Sequence, residues 1–143
     1  MKLMAVVLLS MFFVGFAPRP EAPRKVALNA VFNVDLNREF TVKKGAEVVV
    51  NGEKLRIKFD SVNSDSRCPT GVQCVWAGNA AVTIEVATKH KKPVKATLNT
   101  TSNPREIAYK AYKIKLIKLT PHPVHNQTID PKNYEATLIV SKE

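Results

Sequence analysis

The chain has 143 residues, enough for one domain with a real hydrophobic core. Lys plus Arg number 22 against 12 Asp plus Glu, a net charge of +10 that favours anionic partners such as phosphate-rich envelope surfaces, polyanions or acidic proteins. The basic residues are spread along the chain without the interleaved aromatics of a nucleic-acid site, and no nucleophile–base set or cofactor motif appears, which argues against a nucleic-acid binder and against an enzyme.

Met1-Lys2 supplies a positive start, and residues 3–17 are apolar or small except for Ser10. This is the build of a secretory signal. At about 15 residues it falls short of the roughly 20 that a spanning helix needs. Gly15 and Ala17 stand where a small-x-small cleavage site places them, so residues 1–17 read as the leader. Pro18 would then be the first mature residue, and proline there resists signal peptidase. Both removal and retention as a membrane tether are open. No cysteine follows the apolar run, which argues against a lipoprotein anchor. Residues 18–25, P-R-P-E-A-P-R-K, form an extended proline-rich spacer, and residues 26–143 form the domain.

Within 26–36, Val26, Leu28, Ala30, Phe32, Val34 and Leu36 share one parity, which predicts a strand. Phe40 and Val42 alternate with Thr41 and Lys43, and Lys44-Gly45 turns the chain. Residues 48–50 run into Asn51-Gly52, a hairpin signal, before Leu55, Ile57 and Phe59 alternate with Lys54, Arg56 and Lys58. Ala80, Val82, Ile84 and Val86 alternate again. A polar turn at 89–93 leads back through 94–100. Residues 99–106 form a polar loop.

Residues 109–120 read as one strand, in which Tyr112, Ile114 and Leu116 share a parity but Ile117 and Leu119 switch. Such a phase change predicts a β-bulge. Pro121-His122-Pro123 ends it, and Tyr134, Ala136, Leu138 and Val140 form the last strand. The pattern predicts an all-β domain, a single antiparallel β-sandwich or small barrel of six or seven strands.

Residues 65–78, D-S-R-C-P-T-G-V-Q-C-V-W-A-G, hold both cysteines and the only tryptophan. In an exported chain, Cys68 and Cys74 read as a disulfide loop. Two cysteines alone cannot fill a tetrahedral zinc site, and the spacing is not that of thiol oxidoreductases. A loop this short fixes local shape more than global stability. The candidate binding loop comprises Arg67, Pro69, Thr70, Gln73 and Trp76. Trp76 packed on a disulfide suits a core; an exposed platform is the alternative. Asp65 and Arg67 could pair to order the loop, or Asp65 could cap the turn.

Elsewhere, His122 and His125 lack an evident third metal ligand, and Pro121 and Pro123 hold them apart, so no metal is expected. Asn99 and Asn126 begin weak glycosylation sequons. Lys54, Arg56 and Lys58 share one outward parity and Lys113 and Lys115 another; in one sheet they would make a positive face. Charges at sheet edges also block edge-to-edge pairing.

With these residues in view, the 65–78 segment resembles a group of small, exported, uncharacterised bacterial proteins that carry it between β-strands. Their members also show a late Tyr-x-Ile-x-Leu strand, a Pro-x-Pro turn and a final Tyr-x-Ala-x-Leu-x-Val strand. Here these are Tyr112-Lys-Ile-Lys-Leu116, Pro121-His-Pro123 and Tyr134-Glu-Ala-Thr-Leu-Ile-Val140. The resemblance covers roughly residues 40–140 and implies an exported all-β domain with no assigned activity. The reading is therefore a monomeric, exported binding or structural module of the cell envelope, meeting an envelope protein or an anionic surface. The alternative is a secreted inhibitor that presents the Cys68–Cys74 loop to an enzyme.

Overall fold

Period-two alternation builds the domain, because it gives each strand one apolar face. The computed structural model describes residues 31–143; the leader, the spacer and residues 26–30 of the first predicted strand lie outside the described residues. Among the described residues there are nine strands. They are β1 (Phe32–Val34), β2 (Glu39–Lys43), β3 (Glu47–Val50), β4 (Leu55–Asp65), β5 (Ala80–Thr88), β6 (Val94–Asn99), β7 (Glu106–Tyr109), β8 (Tyr112–Thr120) and β9 (Glu135–Lys142). One 3-10 turn, Pro131–Asn133, precedes β9.

The strands form two sheets, in the orders β1-β3-β4-β5-β6 and β2-β9-β8-β7. They face each other as a sandwich rather than closing into a barrel. The apolar parities meet between them. Leu55, Ile57, Phe59, Val82, Ile84, Ile114, Leu116, Leu138 and Val140 are all fully buried. Burying one such side chain contributes about 1.5–3 kcal/mol, so the interior of this sandwich is the main source of its stability.

Three expectations need correction. The strand count is nine rather than six or seven, and residues 109–120 are not one strand: Tyr109 ends β7 and Tyr112 opens β8. The chain reverses at Lys110-Ala111, with Lys110 in the left-handed region at φ 57°, and Tyr109 pairs with Tyr112. Second, the sheets are not wholly antiparallel: β1 runs parallel to β3, with Phe32 opposite Val48. Among the described residues of the first predicted strand, Phe32–Val34 is extended, and Phe32 is exposed. Third, the positive face does not form. β4 and β8 belong to different sheets, so their lysines sit on opposite outer faces. Several are neutralised there: Arg56 by Glu47 at 3.3 Å, Lys58 by Glu85 at 3.8 Å, and Lys113 by Glu143 at 3.2 Å.

The bulge in β8 is present. The register with β9 shifts between Leu116 and Lys118, so Ile117 is the extra residue and Leu119 returns to the interior. At the Asn51-Gly52 hairpin Gly52 takes φ 71°, and the connection runs four residues rather than two. The sandwich thus has two ends. One carries the β4–β5, β6–β7 and β8–β9 connections, and the other the β3–β4, β5–β6 and β7–β8 turns.

Candidate functional site

The β4–β5 ladder does not stop at its last paired residues, Asp65 and Ala80. Ser66 N–H donates to Asn79 O at 2.8 Å, and Cys68 N–H donates to Ala77 O at 2.9 Å. The two arms come so close that a Cβ on Gly78 would lie 1.9 Å from Ser66 O, and Gly78 has φ +72°. Only glycine fits that position. Beyond the last rung the loop is closed by the Cys68–Cys74 disulfide, with Cα atoms 5.9 Å apart. Gly71, at φ 93°, turns the chain inside the ring.

The base of the loop is held from three sides. The first hold is Arg67, only 8% exposed. Its Nε and one terminal nitrogen donate to the two Asp65 oxygens at 2.8 and 2.6 Å. It also donates to Leu119 O at 2.5 Å and Pro121 O at 2.8 Å, the carbonyls where β8 ends. Tyr134 Oη donates to Asp65 at 3.0 Å. Every polar atom of the cluster is therefore paired, as buried charge requires. Burial pushes the Asp65 carboxyl up, but hydrogen bonds from the Arg67 side chain, the Arg67 N–H and Tyr134 outweigh it and hold it below the usual carboxylate range. Tyr134 moves up, through burial and then through its bond to the Asp65 anion.

The second hold is the segment after β8. Thr70 N–H donates to Pro123 O at 2.9 Å and His125 N–H donates to Thr70 O at 3.0 Å, a short parallel bridge. His122 Nε2 lies 2.9 Å from Cys68 O. The third is Asn79, whose side-chain amide donates to Asn99 at 2.9 Å and whose oxygen accepts from Thr101 N–H at 3.0 Å.

What projects beyond this base is apolar. Trp76 is 64% exposed and Val75 fully so, with Val72 and Val124 exposed beside them. The core position for Trp76 is thereby corrected: it lies past the last rung of the ladder, where too little chain remains to cover it. Arg67 is corrected as a contact residue, since it is the buried anchor. Pro69 is half-buried, while Thr70 and Gln73 are exposed, Thr70 with its backbone engaged. Val72 and Val75 escaped the sequence reading. Their signal was two adjacent apolar residues, Val75-Trp76, in a loop too short to bury both.

A shallow cleft of about 300 Å³ lies at the loop base, lined by Asp65, Pro123, Gln127, Thr128, Ile129 and Tyr134. Its carboxylate is already committed to Arg67 and Tyr134. Among the described residues, no three His, Cys, Asp or Glu side chains gather as metal ligands, and no helix is long and apolar enough to cross a membrane. The arrangement can offer a preshaped apolar tip to another surface. No family model, no curated protein and no solved structure matches the chain.

Proposed function

We propose that this chain is an exported binding module of the cell envelope that presents Val72, Val75 and Trp76 to a protein partner. One observation carries the reading: an exposed tryptophan and valine stand on a loop whose base is fixed by a disulfide, a buried ion pair and a backbone bridge. Apolar side chains left in water are a marker of contact surfaces. Tryptophan is among the residues that most often dominate such contacts. A rigid loop loses little conformational freedom on binding. The disulfide and the leader-like residues 1–17 support export to an oxidising compartment.

A second reading, an enzyme inhibitor, draws on the shape of the exposed segment. Residues 72–76, all exposed, lie beyond the Cys68–Ala77 rung and the Thr70 bridge instead of lining a cleft, which suits insertion into a partner's cleft. The inserted part would be Val72 to Trp76, not Arg67.

The test is capture from an envelope extract with the immobilised protein, run beside Trp76→Ala and Val75→Ser. Binding through the tip predicts a partner retained by the parent and lost by both variants. A partner retained equally by all three removes the tip from the interaction. For the inhibitor reading, the captured protein must be an enzyme whose turnover falls when the parent, but not Trp76→Ala, is added.

A further inference from the structure

The end of the sandwich opposite Trp76 gathers five exposed lysines from three separate turns. Lys54 closes the β3–β4 turn, Lys89, Lys91 and Lys92 lie in the β5–β6 turn, and Lys110 lies in the β7–β8 turn. They meet around Thr88. Lys89 N–H donates to Lys54 O at 2.9 Å, and Lys91 N–H donates to Thr88 O at 3.0 Å. Lys110 Nζ, arriving from the other sheet, donates to Thr88 Oγ1 at 2.7 Å.

These five differ from the cations of the sheet faces. Arg56, Lys58, Lys95 and Lys113 each have a carboxylate partner. Among the described residues, none of the five is in a salt bridge. The acids near this end are already engaged: Glu53 by Tyr112 and Lys142, Glu143 by Lys113, and Asp35 by Asn51 and Arg38. Like charges facing each other across strands are destabilising, and a cluster of this sign draws anions.

We propose that this end of the molecule docks on an anionic phospholipid surface. Three turn tips projecting from one end can meet a plane together. A cleft of about 290 Å³ beside the turns is lined by Val49, Glu53, Lys54, Arg56 and Lys89, its wall mostly the apolar stems of these side chains, with the unpaired Lys54 and Lys89 at its edge. Val94, 52% exposed at the start of β6, adds an apolar side chain beside the lysines. Such a mix of lysines and an apolar contact suits the boundary between headgroups and acyl chains. Tyr109 and Tyr112, the neighbouring aromatics, are half-buried and buried, so they offer no stacking platform for bases. Docked this way, the molecule holds Trp76 away from the bilayer. The inference stands independently of what the Trp76 end binds.

The test is co-sedimentation of the full-length chain with phosphatidylcholine vesicles, with and without phosphatidylglycerol. The quantity read is the excess binding due to the anionic lipid. Lys89→Glu/Lys92→Glu is compared with Lys115→Glu/Lys118→Glu, which changes the net charge equally on the exposed face of β8, farther from the β7–β8 turn. The proposal expects the first variant to lose the excess by more than about tenfold and the second to keep most of it, because each lysine at the surface contributes separately. The excess should also fall between about 0.1 M and about 1 M salt, as the screening length shrinks from about 10 Å to about 3 Å. Lys89→Gln/Lys92→Gln, with its thermal midpoint checked, repeats the test if the reversed charges disturb folding. No excess at the lower salt overturns the proposal. So does an equal loss in both double variants, which reduces the effect to net charge, or binding to soluble polyphosphate without binding to vesicles.

Discussion

Arg67 and Asp65, two residues apart where β4 ends, form a buried bidentate pair whose guanidinium also holds the carbonyls of Leu119 and Pro121. One side chain thereby ties the disulfide loop of the first sheet to the end of a strand in the second. Arg67→Ala would strand the Asp65 carboxylate and free two main-chain acceptors. Breaking such a pair typically costs about 3–5 kcal/mol, far above a surface change. Urea unfolding of the variant should show a loss on this scale. A loss of about 0.5 kcal/mol or less would mean that the clamp carries no stability. Removing both charges with Asp65→Asn/Arg67→Met should be milder than Arg67→Ala alone, because no buried charge is left unpaired.

The same pair sets a pH dependence. The folded Asp65 carboxyl is held below its ordinary value, chiefly by Arg67 against the opposing effect of burial. A group depressed on folding stabilises fully above its unfolded pKa, about 3.9, and that stability is lost as pH falls through the lower folded value. The thermal midpoint should therefore hold from neutral pH to about 5 and fall below about 4. Glu53, held low first by the Tyr112 hydroxyl, and Asp60, held low first by Lys95, add to the fall. Asp65→Asn should start from a lower midpoint at neutral pH and lose less on acidification. An identical acid slope in parent and variant would exclude Asp65 as a contributor.

Ile114 tests the interior. It lies on the apolar parity of β8, opposite Val140 of β9, and is fully buried. Ile114→Ala removes packed methyl groups and leaves a cavity, which typically costs about 2–5 kcal/mol. Equilibrium unfolding in urea measures it. A loss below about 0.5 kcal/mol, the scale of surface substitutions, would contradict the packing.

Positions such as Ile114 were legible because burial on one face of a strand forces a two-residue period that a reader can count. The bulge at Ile117 was legible for the same reason, as a break in that period. The turn between β7 and β8 was not. Lys110-Ala111 holds no glycine, asparagine or proline, and the left-handed conformation rests on a lysine. Pairing partners were hidden too, since nothing local tells β1 to run parallel to β3. The loop showed the same division. Cys68 and Cys74 announced their bond by spacing, and the Asp65–Arg67 pair was readable at two residues' separation. The carbonyls of Leu119 and Pro121, more than fifty residues on, were not. Whether Trp76 is covered depends on where the facing sheet ends. The lysine cluster around Thr88 was missed because Lys54 and Lys110 join the β5–β6 turn only in space.

The disulfide and Trp76 yield the most discriminating prediction, because Trp76 is the only tryptophan and reports on the loop alone. Its exposure predicts long-wavelength emission and ready quenching by acrylamide in the native protein. A shielded, blue-shifted emission that shifts only on unfolding would place it in an interior instead. Protein recovered after export should show no free thiol; alkylation of Cys68 and Cys74 without prior reduction would refute the bridge. Reduction should leave the sandwich folded, since the fully buried residues lie outside the ring. The entropic gain from so short a loop is below the ~3 kcal/mol of a 15-residue one, so the drop in stability should be correspondingly small. The tip should respond differently. Arg67, Thr70 and Gly78 would still anchor its base, but Val72, Val75 and Trp76 would lose their fixed spacing. Partner capture should therefore weaken on reduction while the far-ultraviolet circular dichroism stays unchanged. Capture that survives reduction at full strength would show that the anchors alone hold the tip, and that the disulfide protects the loop without shaping it.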